Sequence, residues 1–568
     1  MSVRSAELAS PTAARGPVHA PSTPVTCSCA SEAKQLLAAV ARDGLGAISP
    51  SVYETARVVA TGPWLPGHRS RIEYLLSTQR PDGGWGGPEA YALVPTLSAT
   101  EALLGIVLEP GRLPAPMVDR CVRAAGNGLA FARAQLRSLR VADLPDTPGI
   151  EVIVPFLVGR LNDGLARLRT SEVSGLDAWR GRGVRLPLPR GLTDKTLRAV
   201  TAVLAGERKA PLKVQHSLEV AGELAAGIRG VPRLSTGTVG ASPAATVAWL
   251  GTPPVDRSGE YTRYLRRVIT QLGGPVACVI PIINFERAWV VNNLAAAGLP
   301  LAAPRTLAER MVAALSPRGL AGGDGMPPDV DTTSSTVTAL RHLGVPIRNT
   351  VLRRFDVGTH FCGWVGERTV SSTAHAHVLT ALVTGPEGRS AWRTSAIDRV
   401  TSWLCDAQER DGYWTDKWHA SPYYATACVV AGLRDAWAGE IPARPAAAID
   451  RAVAWVLASQ RRDGSWGRWS GTPEETAYAL QILLYKAPLD RRMRAAARRG
   501  YAFLVAGQDR EPVPLWHGKD LYDPPLIVRS ALVGARHLAE TTLGLLTPED
   551  TASVVARIPR QRRMIMSG

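Results

Sequence analysis

The sequence predicts an all-α protein built of stacked helical hairpins. Three observations predict it. One template recurs three times. Helical patterns fill the intervals, and strand-like alternation is scarce. The second and third copies, at Gln408 and Gln460, lie 52 residues apart, the scale of a repeated helical unit.

The template reads aromatic, aliphatic, three residues, Gln, three residues, Gly, one residue, Trp. Tyr74-Leu75 precede Gln79, Gly83 and Trp85. Trp403-Leu404 precede Gln408, Gly412 and Trp414, and Trp455-Val456 precede Gln460, Gly464 and Trp466. A looser fourth copy, Phe503-Leu504 to Gln508, lacks the glycine. Asp-Gly ends a helix and turns the chain, because glycine tolerates positive φ. The Gln amide is expected to satisfy backbone groups at the next helix end, and the Trp ring to cover it. These residues brace the fold and are not expected to be catalytic.

Two further helix starts stand out. Glu474-Glu475 precede Tyr478, Leu480 and Ile482-Leu483, and acidic residues suit a first turn. Asp329-Val330-Asp331-Thr332-Thr333 follows the turn Gly322 to Pro328 and opens a pattern continued by Val337, Leu340 and Leu343. Two carboxylates two residues apart, backed by hydroxyls, can form one pre-aimed Brønsted acid. Asp and Thr are also ordinary N-cap residues, so Thr332 has a structural reading beside the functional one.

Composition bounds the class. A chain of 568 residues exceeds one ordinary core, and roughly two to four domains are expected. With 45% hydrophobic and 20% charged residues the chain reads as globular. No apolar run reaches a membrane-spanning length, so no stable membrane insertion is expected. Residues 1–30, rich in Pro, Ser, Thr and Ala, lack the order of a signal peptide and read as a disordered tail. Seven cysteines without metal-type spacing suggest a reducing compartment, hence a cytoplasmic location. The net charge of +17 comes mainly from scattered arginines, without a nucleic-acid-binding module. No nucleic-acid partner is expected; a locally basic pocket would attract a small polyanion such as a diphosphate.

The Q-x3-G-x-W repeats together with the aspartate-rich motif resemble the class II terpene cyclases, relatives of squalene–hopene and copalyl diphosphate cyclases. Ordered segments after residue 60 extend the resemblance: Gly149 to Pro155, His216-Ser217-Leu218-Glu219, Phe285 to Trp289, Ala376-His377-Val378-Leu379, Asp416-Lys417-Trp418 and Trp516 to Tyr522. The resemblance implies two α/α-barrel domains, β and γ, with the active site between them. It places β at 31–60 and 285–568, and γ, inserted, at 61–284. The DDxxD motif of diphosphate ionisation is absent, as the chain has no adjacent aspartates. The diphosphate of a prenyl diphosphate substrate should therefore stay in the product.

What the resemblance implies for the site is specific. The middle aspartate of the motif donates the proton, which maps onto Asp331, with Asp329 as its partner. Burial would hold the proton on Asp331, whereas a helix N-terminus would favour the anion, and sequence leaves that balance open. Thr332 stands where the family's third aspartate lies, followed by Thr333. This DxDTT form resembles bacterial drimenyl diphosphate synthases, so the expected reaction is bicyclisation of farnesyl diphosphate to drimenyl diphosphate. The alternative is a diterpene cyclase taking geranylgeranyl diphosphate to a copalyl-type product. Trp289, Tyr423 and Tyr424 are the expected carbocation-stabilising rings. Glu151, with Asp146 beside it, is the expected Mg²⁺ contact. Lys519 is the first expected diphosphate ligand and Lys417 the second. His216 falls on the substrate-facing histidine of a plant-type water-binding dyad, but Cys278 replaces its Asn partner. His375 is a second candidate base.

Overall fold

The structure is a computed structural model describing residues 28–545, apart from 112, 208, 253, 255–258, 368, 389, 438–439, 487 and 508–509. The tail expected over 1–30 thus falls mostly outside the described residues, as does Gln508. Its end does not: Cys29 is buried and opens the helix Cys29–Val40, capped by Ser28.

Six helices form a closed ring, each packed on the next and the last on the first. They are Ile283–Ala296, Val330–His342, Ser372–Val383, Pro422–Asp435, Pro473–Tyr485 and Pro525–Leu543. Cys29–Val40, Arg305–Ala314, Ala391–Asp406, Ala443–Ser459 and Arg491–Ala506 pack around them. This is an α/α barrel. The patterning explains the two layers. Every residue from Glu474 to Tyr485 is buried, as an inner helix requires. Arg491–Ala506 buries only Met493, Ala496, Ala497, Gly500, Phe503 and Leu504, the stripe of an outer helix.

A smaller ring repeats the design. Val52–Thr61, Leu93–Leu108, Ile150–Leu168, the 3₁₀ helix Leu218–Ala225 and Pro243–Leu250 close on one another. Its outer helices are His68–Ser77, Ala115–Ser138, Lys195–Glu207 and Glu260–Gln271. The helix Val52–Thr61 serves both cores: Val52, Tyr53, Ala56 and Val59 join the smaller, Val58 the larger. Glu89–Leu108 is long and apolar enough to cross a membrane, but 83% of that window is buried inside the protein. Among the described residues the one sheet has two strands, Trp516–His517 and Leu521–Tyr522, paired antiparallel.

The three repeats are built alike. Gln79, Gln408 and Gln460 each donate Nε2 to the carbonyl of their own glycine, at 2.9, 2.7 and 2.9 Å. Each also donates to a second carbonyl, of Ala124, Ala448 or Ala496. Those carbonyls lie within the neighbouring helix, not at its end as expected. Trp85, Trp414 and Trp466 donate Nε1 to Leu75, Leu404 and Val456, each at 2.7 Å. A feature the template did not include completes the brace. The Trp backbone N–H donates to the hydroxyl of Thr96, Thr426 or Thr476 on the following inner helix.

Candidate active site

A cavity of about 690 Å³ is lined by both rings and by the C-terminal hairpin. Phe285, Trp289, Asp331 and Tyr424 reach it from the first two turns of three inner helices of the larger ring. Glu151 and His216 reach it from the smaller ring's side, and Trp516 and Tyr522 from the hairpin.

Asp329 and Asp331 both line the cavity, and their roles divide. Asp329 caps the helix Val330–His342, accepting the Thr332 N–H at 2.6 Å. Burial pushes its carboxyl up to about 7, reinforced by the charge of Asp331 and opposed by the Thr332 bonds. Asp331 Oδ1 lies 2.5 Å from His377 Nδ1 on the adjacent inner helix. Burial by itself would lower the His377 pKa. The Asp331 carboxylate outweighs it and holds the imidazole well above its ordinary value. The sequence reading quoted His377 only as a landmark. The signal was its place two residues after His375, on the opposite side of one helix.

Thr332 and Thr333 separate as well. Thr332 lines the cavity and its hydroxyl bonds Asp329. Thr333 turns into the protein. Its hydroxyl accepts the Leu320 N–H at 2.9 Å and donates to the Asp329 carbonyl at 2.5 Å. It clamps the Gly/Pro turn to the helix and is not among the cavity's lining residues.

The aromatic wall runs away from the acid. Trp289 packs edge-on to His377, centroids 5.2 Å apart, and donates Nε1 to the Tyr424 hydroxyl at 2.8 Å. Phe285 lies 4.3 Å from Trp289 and 5.5 Å from Trp516, and Trp516 lies 4.7 Å from Tyr424. Trp289 and Tyr424 therefore face the cavity as expected. Tyr423 does not: it packs on Trp455 at 4.5 Å in the layer between inner and outer helices. Adjacent residues on a helix point about 100° apart, and here that turn carries Tyr423 away from the cavity that Tyr424 lines.

The expected first diphosphate ligand is misplaced. Lys519 is fully buried, with Nζ 2.6 Å from Glu54, 2.7 Å from Glu219 and 2.9 Å from the Ser242 hydroxyl. Two carboxylates already neutralise it, and it joins the hairpin to the smaller ring. Lys417 does line the cavity. Its Nζ contacts the Thr369 hydroxyl at 2.7 Å and Glu367 at 3.5 Å, between the rings of Trp364 and Trp418 at 5.1 and 4.9 Å. Lys213, exposed at the same cavity, is the second lysine there, and sequence reasoning passed over it.

The two candidate histidines resolve differently. His216 lines the cavity and shares a 2.7 Å hydrogen bond between Nδ1 and the Gly240 carbonyl. That bond puts the proton on Nδ1 and leaves Nε2 with its lone pair. Burial, then the charge of Lys519, pushes His216 down to about 3, so it stays neutral. Cys278 is buried and accepts the Lys519 N–H at 3.1 Å, a packing role. His375 has both nitrogens occupied, by the Ser371 carbonyl and the Phe361 N–H, and stacks on Trp403. It has no nitrogen left to act as a base.

Glu151 and Asp146 are exposed at the cavity's edge. Among the described residues no group of three or more His, Cys, Asp or Glu is arranged to hold a metal ion. The six described free cysteines share no pair or cluster.

Residues 368–520 match the model of the squalene–hopene cyclase C-terminal domain. An ent-copalyl diphosphate synthase of Streptomyces sp. (strain KO-3988) is 42% identical over 87% of this chain and 92% of its own. A copalyl diphosphate synthase of Streptomyces anulatus is 40% identical over 91% of this chain and 93% of its own. The structure of the ent-copalyl diphosphate synthase from Streptomyces platensis superposes with a TM-score of 0.83 at 40% identity. It covers 90% of this chain and 99% of that one.

These relatives overturn two expectations. The drimenyl diphosphate synthase reading, with farnesyl diphosphate as substrate, does not stand, because the relatives are copalyl diphosphate synthases. Thr333 shows why the motif misled: a residue that clamps a turn reports nothing about substrate length. The Mg²⁺ expectation is withdrawn too. Among the described residues, Glu151 and Asp146 belong to no group arranged to hold a metal ion. The chain belongs to the class II terpene cyclases.

Proposed function

We propose that the protein cyclises geranylgeranyl diphosphate to a bicyclic, copalyl-type diphosphate, keeping the diphosphate. One observation carries the reading: a carboxyl paired to histidine at 2.5 Å stands on an aromatic-walled cavity that also holds two lysines. The copalyl diphosphate synthases among the relatives supply the substrate's length.

Asp331 gives its proton to the terminal alkene of the substrate. The His377 Nδ1–H bond then stabilises the carboxylate left behind. The cation passes through two ring closures along Trp289, Phe285, Tyr424 and Trp516, whose faces attract positive charge without attacking it. Lys417 and Lys213 hold the diphosphate. Loss of a proton ends the reaction, with His216 Nε2, or a water bound to it, as acceptor. The net change is isomerisation. The chain division at 31–60 with 285–568, and 61–284, stands as part of this reading, with Val52–Thr61 shared by both cores.

The test is incubation with geranylgeranyl and farnesyl diphosphate separately, dephosphorylation, and mass spectrometry of the alcohols. A bicyclic diterpene alcohol from the longer substrate supports the reading. Acyclic geranylgeraniol alone refutes it.

A further inference from the structure

Behind the aromatic wall lies a carboxylate that the proposed steps do not use. Glu474, the second residue of Pro473–Tyr485, is buried. Its Oε1 accepts from Trp516 Nε1 at 2.9 Å, the Tyr478 hydroxyl at 3.1 Å and His419 Nε2 at 3.2 Å. His419 Nδ1 accepts the Ser421 N–H at 3.0 Å, which fixes the proton on Nε2. Burial pushes His419 down to about 4, so it donates as a neutral ring. Asp523 adds a second carboxyl near Glu474, and its buried Oδ1 has no partner. Trp516 is thus gripped at its N–H edge by a carboxylate while the ring lines the cavity.

We propose that Glu474 is a positioning residue that polarises Trp516, so that the indole face draws the carbocation away from Asp331 during ring closure. The inference rests on the copalyl-type reading above. Two physical facts make such a group necessary. Once Asp331 has given up its proton it is an anion on the cavity lining, whereas its partner His377 is not among the lining residues, and the nearer negative charge attracts the cation back toward the start of the wall. The inner helices also bring first turns to the cavity, and helix N-termini carry partial positive charge. The chain reduces that second effect by placing Pro422, Pro473 and Pro525 at helix starts, where an N–H is missing. Glu474 opposes both effects at Trp516, which packs on Phe285 and Tyr424, whereas Trp289 packs on His377. A carboxylate accepting an indole N–H adds electron density to the ring, which strengthens its attraction for a cation. Burial pushes Glu474 up to about 7 despite the Trp516 and Tyr478 bonds, so its charged fraction grows as pH rises through neutrality.

Glu474→Gln keeps an acceptor for Trp516 and removes the charge. With geranylgeranyl diphosphate, kcat should fall about tenfold to a hundredfold. KM should stay within about twofold, as ground-state binding is untouched. Singly cyclised products should appear beside the bicyclic one. In a Trp516→Phe background the same substitution should cost less than about threefold, because its effect passes through the indole. Wild-type kcat and products in Glu474→Gln, or an equal cost in both backgrounds, would overturn the inference. If Glu474→Gln does not fold, Trp516→Phe alone decides. Singly cyclised products support the inference, and wild-type rate with bicyclic product only overturns it. A wild-type enzyme that forms no bicyclic product overturns the functional reading as well, which separates the two failures.

Discussion

Asp331 and His377 meet at 2.5 Å across two neighbouring helices of the larger ring, and each fixes the other's state. Once Asp331 has given up its proton, its carboxylate holds His377 protonated against the effect of burial. His377 in turn occupies one oxygen of the carboxyl. His377→Ala should therefore lower kcat by roughly a hundredfold or more. KM for the prenyl diphosphate should change little. Steady-state kinetics check both, and an unchanged kcat would remove His377 from proton transfer.

The two lysines named from sequence should part in opposite directions. Lys417→Ala should raise KM roughly ten- to hundredfold, the effect of one lost charged bond to phosphate, with little change in thermal midpoint. Lys519→Met should act on folding. It leaves Glu54 and Glu219 buried without their cation, at a cost of about 3–5 kcal/mol. Kinetics beside chemical denaturation separate these outcomes.

Asp329 gives a pH test. Its folded pKa, about 7, is raised above the ordinary carboxylate value by burial. The folded state therefore holds this proton more tightly than the unfolded state does. Its contribution to stability falls as pH rises from about 4 to about 7. Asn caps a helix as well as Asp but does not titrate. The thermal midpoint of Asp329→Asn relative to wild type should rise across that window. A difference independent of pH would contradict the assignment.

The braces give a folding test. Gly464 has φ of 87°, and an added Cβ would lie 2.7 Å from the Arg499 carbonyl oxygen. Gly464→Ala should destabilise by about 1–3 kcal/mol through the strained backbone, and by more through the clash. Equilibrium denaturation measures it, and kcat of the folded fraction should be unchanged.

Much of this fold was legible because its signals are local. The Asp-Gly turn, the Gln amide and the Trp ring act within one repeat, so spacing exposed them. The second Gln contact, inside the neighbouring helix, depended on packing and was misjudged. At the site, the place of Asp331 in the first turn of a helix was legible from the Gly/Pro turn and the motif. Lys519 was misread because its partners lie 465 and 300 residues away, beyond any local pattern. His377 was passed over for the same reason: which of two histidines faces Asp331 is set by the angle between two helices. Tyr423 and Tyr424 are adjacent in sequence, and only the ring's geometry separates the cavity residue from the core residue.

The central claim is that Asp331 delivers a proton to a prenyl diphosphate alkene. Cyclisation of geranylgeranyl diphosphate in D₂O tests it most directly, with wild type and Asp331→Asn run side by side. The bicyclic alcohol recovered from wild type should be heavier by one deuterium, placed on the carbon that was protonated, and Asp331→Asn should give none. A product without deuterium, or undiminished turnover by Asp331→Asn, would contradict the claim.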